Sequence, residues 1–202
     1  MSDVAAVSPI PKRASPGRPR SMEAERAILD VTMELLATEG YRLLTLDKVA
    51  SLARVSKSTM YRRWPSKEHL VIAAFDQSPP LVPKGKGKVL DEVLDILSQF
   101  VDIMHSTPLA GVLPTLVGER AHNHALAQAL DPVIERRRAP IKEILKRAID
   151  KGELPKSIDM ELAVDAIMGP ILLRLFFLQG DLSKKTMRDL LKVVLRGLGA
   201  AV

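Results

Sequence analysis

Residues 56–70 of this 202-residue chain read SKSTMYRRWPSKEHL. The stretch gathers hydroxyls, cationic groups, a phenol and the only Trp of a chain that is 3% aromatic. Such groups donate and accept hydrogen bonds and carry positive charge, which suits recognition of a polyanion. If residues 56–63 form a helix with Met60 in its core, a step of about 100° per residue turns Ser58, Thr59 and Arg62 outward. Tyr61 then lies on one flank, with Lys57 and Arg63 nearer the other. Hydroxyls and an Arg on the first turns of a helix match the donors and acceptors on major-groove base edges. Trp64, at i+4 from Met60, reads as a core anchor rather than a stacking platform.

Phosphate contacts should surround that face. A helix N-terminus offers free N–H groups and a partial positive charge to an anion, and Thr45, Ser56 and Ser66 each mark such a start. Lys67 stands beside the third. The spacing of these caps predicts helices over 45–52, 56–63 and 66–77, the first two joined as a helix-turn-helix in which Val49, Ala50 and Ala53 face inward and Val55 fills the turn. A further amphipathic helix is expected over 22–39, capped by Ser21, with Ile28, Val31, Leu35 and Leu36 along its core face and Gly40 as its stop.

Charge is unevenly distributed along the chain. Of the net +6, residues 1–75 hold 12 Lys/Arg against 8 Asp/Glu, residues 76–88 hold 3 against 1, and residues 89–202 hold 15 of each. A basic N-terminal third joined to a neutral remainder suits a polyanion-binding module attached to a second unit. Residues 1–20 are rich in Pro, Ser, Gly and Arg and read as a disordered basic arm. The arm ends in GRPR at 17–20, where Arg18 and Arg20 could lie extended in an A·T minor groove or form a generic basic tail.

Several function classes find no support. Without cysteine there is no disulfide, thiolate metal site or cysteine nucleophile, and a cytoplasmic setting is expected. No apolar h-region of a signal peptide appears, and the longest apolar run, residues 166–173, is far below the roughly 18 needed to span a membrane. No Gly-rich phosphate loop is present. His122 and His124 sit two apart, so their side chains diverge, and neither metal nor cofactor is expected. A helical small-molecule enzyme is thus the weakest reading.

Residues 45–70 resemble the DNA-binding domain of the TetR/AcrR family of bacterial transcription regulators, over roughly residues 21–75. The family's pattern stands here as Thr45, Ala50, Val55-Ser56, Tyr61, Trp64, Pro65, Ser66-Lys67-Glu68 and Leu70. The resemblance implies phosphate contacts at Thr45, Tyr61 and Lys67 and groove contacts at Lys57, Ser58, Thr59 and Arg62. Trp64 replaces the family's usual Phe. Arg54 stands where a turn Gly is usual. A positive φ there would cost about 1 kcal/mol, so Arg54 is either a tolerated misfit or an added phosphate contact.

The expected fold is all-α: a helix-turn-helix domain at 21–77, a Pro/Gly/Lys-rich connector at 78–88 and a larger helical domain at 89–202, for which the resemblance implies ligand binding and dimerisation. Helices are expected near 90–104, 109–121, 123–151, 159–179 and 183–198, the 123–151 helix kinked at Pro132 and Pro140. The 159–179 helix is apolar nearly all round, so a symmetric partner is its economical cover; Met187, Leu190, Leu191, Val194 and Leu198 would complete a four-helix interface. Phe100, Met104, Leu113, Leu116, Val117 and Phe176 are candidate walls of a pocket for an apolar effector, although each also suits ordinary packing. The sequence points to a dimeric, ligand-responsive regulator, most simply a repressor, on palindromic double-stranded operator DNA. An architectural or non-specific binder using the basic arm is the alternative.

Overall fold

The computed structural model describes residues 19–85 and 87–200. The first helix, α1, spans Pro19–Thr38 and starts earlier than the sequence suggests. Proline suits a first helical position, where its fixed φ is already correct and its missing N–H would be unpaired anyway. Ser21 therefore lies inside α1 rather than capping it, and Arg20 is helical rather than part of an extended Arg-Pro-Arg. Arg18 and the rest of the expected arm lie outside the described residues.

Four short helices follow: α2 (Gly40–Leu43), α3 (Leu46–Leu52), α4 (Lys57–Arg63) and α5 (Lys67–Asp76). The starts of α3, α4 and α5 are set by the side chains that the sequence marked. Thr45 accepts the Lys48 N–H at 3.2 Å, Ser56 that of Thr59 at 3.2 Å and Ser66 that of His69 at 3.5 Å. Ile28 and Leu36 of α1 pack in the same core as Val49, Ala50, Met60, Trp64 and Leu70, all buried.

After residues 77–85 and 87–88, none of them helical, come five longer helices: α6 (Val89–Ser106), α7 (Leu109–Arg120), α8 (His124–Asp150), α9 (Met160–Leu173) and α10 (Lys184–Gly197). The described residues contain no strand, so the expected all-α class holds. Asn123, Asp159 and Ser183 cap α8, α9 and α10. Pro132 and Pro140 both lie inside the continuous α8. The helix expected to run to residue 179 leaves α geometry at Arg174 and closes as a π-helical turn, Arg174–Leu178, with Gln179 at φ +47°.

The N-terminal helices are not an isolated head. α1 packs on α5 and α7, and α5 packs on α8. The buried Tyr41 hydroxyl donates to Glu68 at 2.5 Å and accepts from the Asn123 amide at 3.4 Å, joining α2, α5 and the start of α8. Burial first, then the Glu68 hydrogen bond, push the Tyr41 phenol well above its ordinary range. Burial works to raise the Glu68 carboxyl, but the hydrogen bonds from Tyr41 and Ser66 leave it lowered on balance. Arg42 bridges to Glu119 of α7 at 2.5 Å, and Arg136 of α8 grips both oxygens of Asp76 at 2.7 and 2.8 Å.

Candidate nucleic-acid interface

Helices α3 and α4 are joined by a turn whose geometry is set by two hydrogen bonds. Arg54 N–H donates to Ser51 at 3.2 Å and Val55 N–H to Ala50 at 3.0 Å. This pair forms the helix-ending motif that requires a left-handed residue between them, and Arg54 has φ +55°. Gly152 and Gly199 end α8 and α10 with the same pair of bonds and positive φ. Arg54 thus occupies a glycine-type position. Its side chain is exposed.

Met60, fully buried, and Trp64, 6% exposed, anchor α4 to the core. That fixes which side chains look outward. Ser58, Tyr61 and Arg62 are exposed, and Arg62 makes no ion pair among the described residues. Thr59, expected outward, is half-buried, and the capping Ser56 hydroxyl lies 2.9 Å from its hydroxyl and 3.0 Å from that of Ser58. Arg63 turns to α1 and pairs with Glu25 at 2.7 Å.

Sequence reasoning missed Asp47, in the first turn of α3. Its carboxylate accepts from Lys57 Nζ at 2.5 Å and from the Tyr61 hydroxyl at 3.2 Å, tying two expected DNA contacts to one anion. The Lys57 bond, then the Tyr61 bond, hold the Asp47 carboxyl below its usual range; the same contacts raise Lys57 and Tyr61. Only the packing of α3 on α4 brings residues ten apart into contact, so no local pattern announces the arrangement. Lys67 is also restrained: its ammonium lies 4.0 Å from the Tyr41 ring centre and donates to the Arg42 carbonyl at 3.4 Å, and burial lowers its pKa.

A cavity of about 170 Å³ lies among α6–α9. Phe100 and Met104 of α6 and Leu113 of α7 line it, as expected. Phe75 of α5, Leu81 of the connector and Met168 and Leu172 of α9 also line it, and among the described residues Arg137 and Arg138 of α8 bring the only charges to its wall. Three expected wall residues lie elsewhere. Leu116 is fully buried in the core, Val117 is 64% exposed, and Phe176 sits half-buried in the π turn, whose smaller rotation per residue shifts it off the α9 face.

Two family models match the chain. "Bacterial regulatory proteins, tetR family" covers residues 28–74, and "Tetracyclin repressor-like, C-terminal domain" covers residues 83–194. The HTH-type transcriptional regulator YdeS of Bacillus subtilis is 32% identical over 192 residues, spanning 91% of this chain and 94% of the relative. The chain belongs to the TetR family.

It is therefore a DNA-binding transcriptional regulator with a helix-turn-helix head and a helical C-terminal domain. The DNA-binding transcriptional repressor TetR of Mycobacteroides abscessus is 29% identical over 153 residues, 69% of this chain and 75% of the relative. Among solved structures, FadR from Bacillus subtilis in complex with stearoyl-CoA shares this TetR fold, with a TM-score of 0.70 at 22% identity over 85% of this chain and 98% of FadR. Within the family's reading head, the structure brings Thr45, Ser56, Lys57, Ser58, Tyr61 and Arg62 onto or beside one face of the α3–α4 pair. Lys67 stands apart at the α2–α5 junction. No single described helix is long and apolar enough to cross a membrane; α6 and α7 reach that composition only together, across a 96° bend.

Proposed function

We propose that the protein is a homodimeric repressor that inserts α4 of each subunit into the major groove of one half of a palindromic operator. The observation that carries this reading is the face of α4. Arg62 stands exposed without a carboxylate partner, beside the Ser58 hydroxyl, while Met60 and Trp64 fix the helix's rotation from beneath. Arg62 and Ser58 would read base edges; Thr45, Arg54, Tyr61 and Lys57 would contact phosphates. For Lys57 and Tyr61 to do so, they must leave Asp47.

A second copy has a surface to meet. Along α9 and the π turn, Leu162, Ala166, Gly169, Leu173 and Phe177 are all exposed at three- and four-residue spacing, Phe177 at 79%. Val193 on α10 adds 71% exposure. This is a different set from the one expected: Met187 and Leu191 are buried in the subunit's own core, and Leu190, Val194 and Leu198 are half-buried. The exposed stripe is the face a two-fold partner would cover. The cavity among α6–α9 is the proposed effector site, and an effector acts only by binding one head spacing better than the other.

The test is DNA selection from a random duplex pool with the full-length protein, followed by salt titration on the selected site. A palindromic site whose affinity falls steeply with salt is expected. Arg62→Ala combined with Tyr61→Phe should abolish selective binding while thermal unfolding is unchanged. Recovery of no sequence preference would instead leave the architectural reading.

A further inference from the structure

The two arginines on the cavity wall differ in how their charge is met. Arg138 faces three carboxylates, with Asp165 at 2.6 Å, Glu161 at 3.0 Å and Glu135 at 3.3 Å. Arg137 pairs with no carboxylate among the described residues. Its guanidinium is half-buried and donates only to neutral carbonyls: Pro79 at 2.5 Å, Ser78 at 2.8 Å and Phe75 at 3.5 Å. Burial, the largest influence on it, works against its charge, and the nearby Asp76 is already held by Arg136. The guanidinium also lies 5.7 Å from the centre of the Phe75 ring, but a half-buried cation with no paired carboxylate beside a largely apolar lining is a place where an anion is favoured.

The carbonyls that Arg137 holds matter as much as its charge. Phe75 belongs to the last turn of α5, and Ser78 and Pro79 begin the connector. α5 in turn packs on α1 and, through Glu68 and Tyr41, on α2, so Arg137 ties the cavity wall to the end of the reading head. Arg136 grips Asp76 from the same turn of α8 and would stay in place as a pivot.

We propose that the cavity takes a monocarboxylate with a compact apolar body, and that its carboxylate draws Arg137 away from the Phe75, Ser78 and Pro79 carbonyls, releasing the end of α5 and weakening DNA binding. This rests on the reading of the cavity as the effector site. A carboxylate adds full opposite charge and a bidentate fork that neutral carbonyls lack, so it competes with them for the guanidinium. The cavity volume of about 170 Å³ sets the body size. A dry cavity of about 150 Å³ takes up benzene, so a body of roughly six to eight carbons is the match.

The test uses benzoate and octanoate, each against its primary amide, with the full-length protein by calorimetry and on its selected duplex by fluorescence anisotropy. For the wild type, we expect at least one of the acids to bind about tenfold tighter than its amide and to weaken DNA binding. Arg137→Met keeps the apolar stem but loses the bonds to Phe75, Ser78 and Pro79; its DNA affinity should already be lowered without ligand, and it should bind acid and amide alike with no further loss of DNA affinity from either. Amide binding as tight as acid binding by the wild type, or an acid preference that survives in Arg137→Met, would overturn the role of Arg137 while leaving the cavity as a site. If neither acid nor amide binds, and filling the cavity by Met104→Trp leaves both stability and DNA affinity unchanged, the cavity reading itself falls and the proposal with it.

Discussion

Replacing Arg54 by glycine should stabilise the protein slightly while weakening its hold on DNA. The residue sits at φ +55° between two hydrogen bonds that also end α8 and α10, where Gly152 and Gly199 fill the equivalent place. A residue with a Cβ in left-handed geometry costs about 1–2 kcal/mol. Glycine removes that strain but adds about 0.5–1 kcal/mol of unfolded-state entropy. The net for Arg54→Gly is a gain of roughly 0–1.5 kcal/mol, centred near 0.75. Arg54→Ala keeps both the strain and the Cβ, so it should stay within about 0.5 kcal/mol of wild type. Urea unfolding of the three proteins at one fixed protomer concentration separates these cases, since subunit association shifts apparent stability. Salt titration of DNA binding asks the other question. If the exposed Arg54 side chain meets a phosphate, both variants lose the same increment of about 0.9 in the slope of log affinity against log salt. An Arg54→Gly protein less stable than Arg54→Ala would refute the strain argument, and unchanged slopes would take Arg54 off the DNA.

Asp47→Asn removes the anion that holds Lys57 and Tyr61, so, if the α3–α4 face meets DNA as proposed, affinity for the selected duplex should rise about two- to fivefold; a loss of affinity would mean that Asp47 positions those groups productively. Trp64→Ala should cost about 3–5 kcal/mol in denaturant unfolding, since Trp64 is 6% exposed. Trp64→Phe should cost less than about 1.5 kcal/mol; similar costs for both would mean that the indole is not the anchor of α4. Phe177→Asp, at the most exposed apolar position of the α9 stripe, should convert a dimer to monomers in sedimentation and reduce cooperative binding to a palindrome; an unchanged dimer would place the interface elsewhere.

The head was legible because its signals are local. A hydroxyl three residues ahead of a free N–H makes a cap whatever surrounds it, so Thr45, Ser56 and Ser66 fixed the starts of α3, α4 and α5. With those starts known, the helical step placed Met60 and Trp64 inside and Ser58 and Arg62 outside. Local signals misled at the N-terminus, where Ser21 was a plausible cap but Pro19 lies helical ahead of it.

The cavity and the interface were legible only as apolar stretches, because an apolar residue looks the same in sequence whether it meets its own core, a ligand or a partner. The register of α10 against α6 and α9 sent Met187 and Leu191 inward, and the π turn moved Phe176 off the face that Phe100 and Met104 share. Val117 and Leu116 are neighbours in sequence, so one helical step separates solvent from core.

By itself the sequence determined the helical class, the caps, the family pattern and the face of α4, all products of neighbouring residues and their intrinsic geometry. It also posed the question of Arg54, since a turn glycine was replaced. Only the tertiary structure decided what distant residues do to one another: that Asp47 restrains Lys57 and Tyr61, that Arg54 takes a left-handed turn, and that Arg138 is neutralised while Arg137 holds the connector. Electrostatic partners and cavity walls depend on which helices pack together and in what register, and no short stretch of chain carries that information.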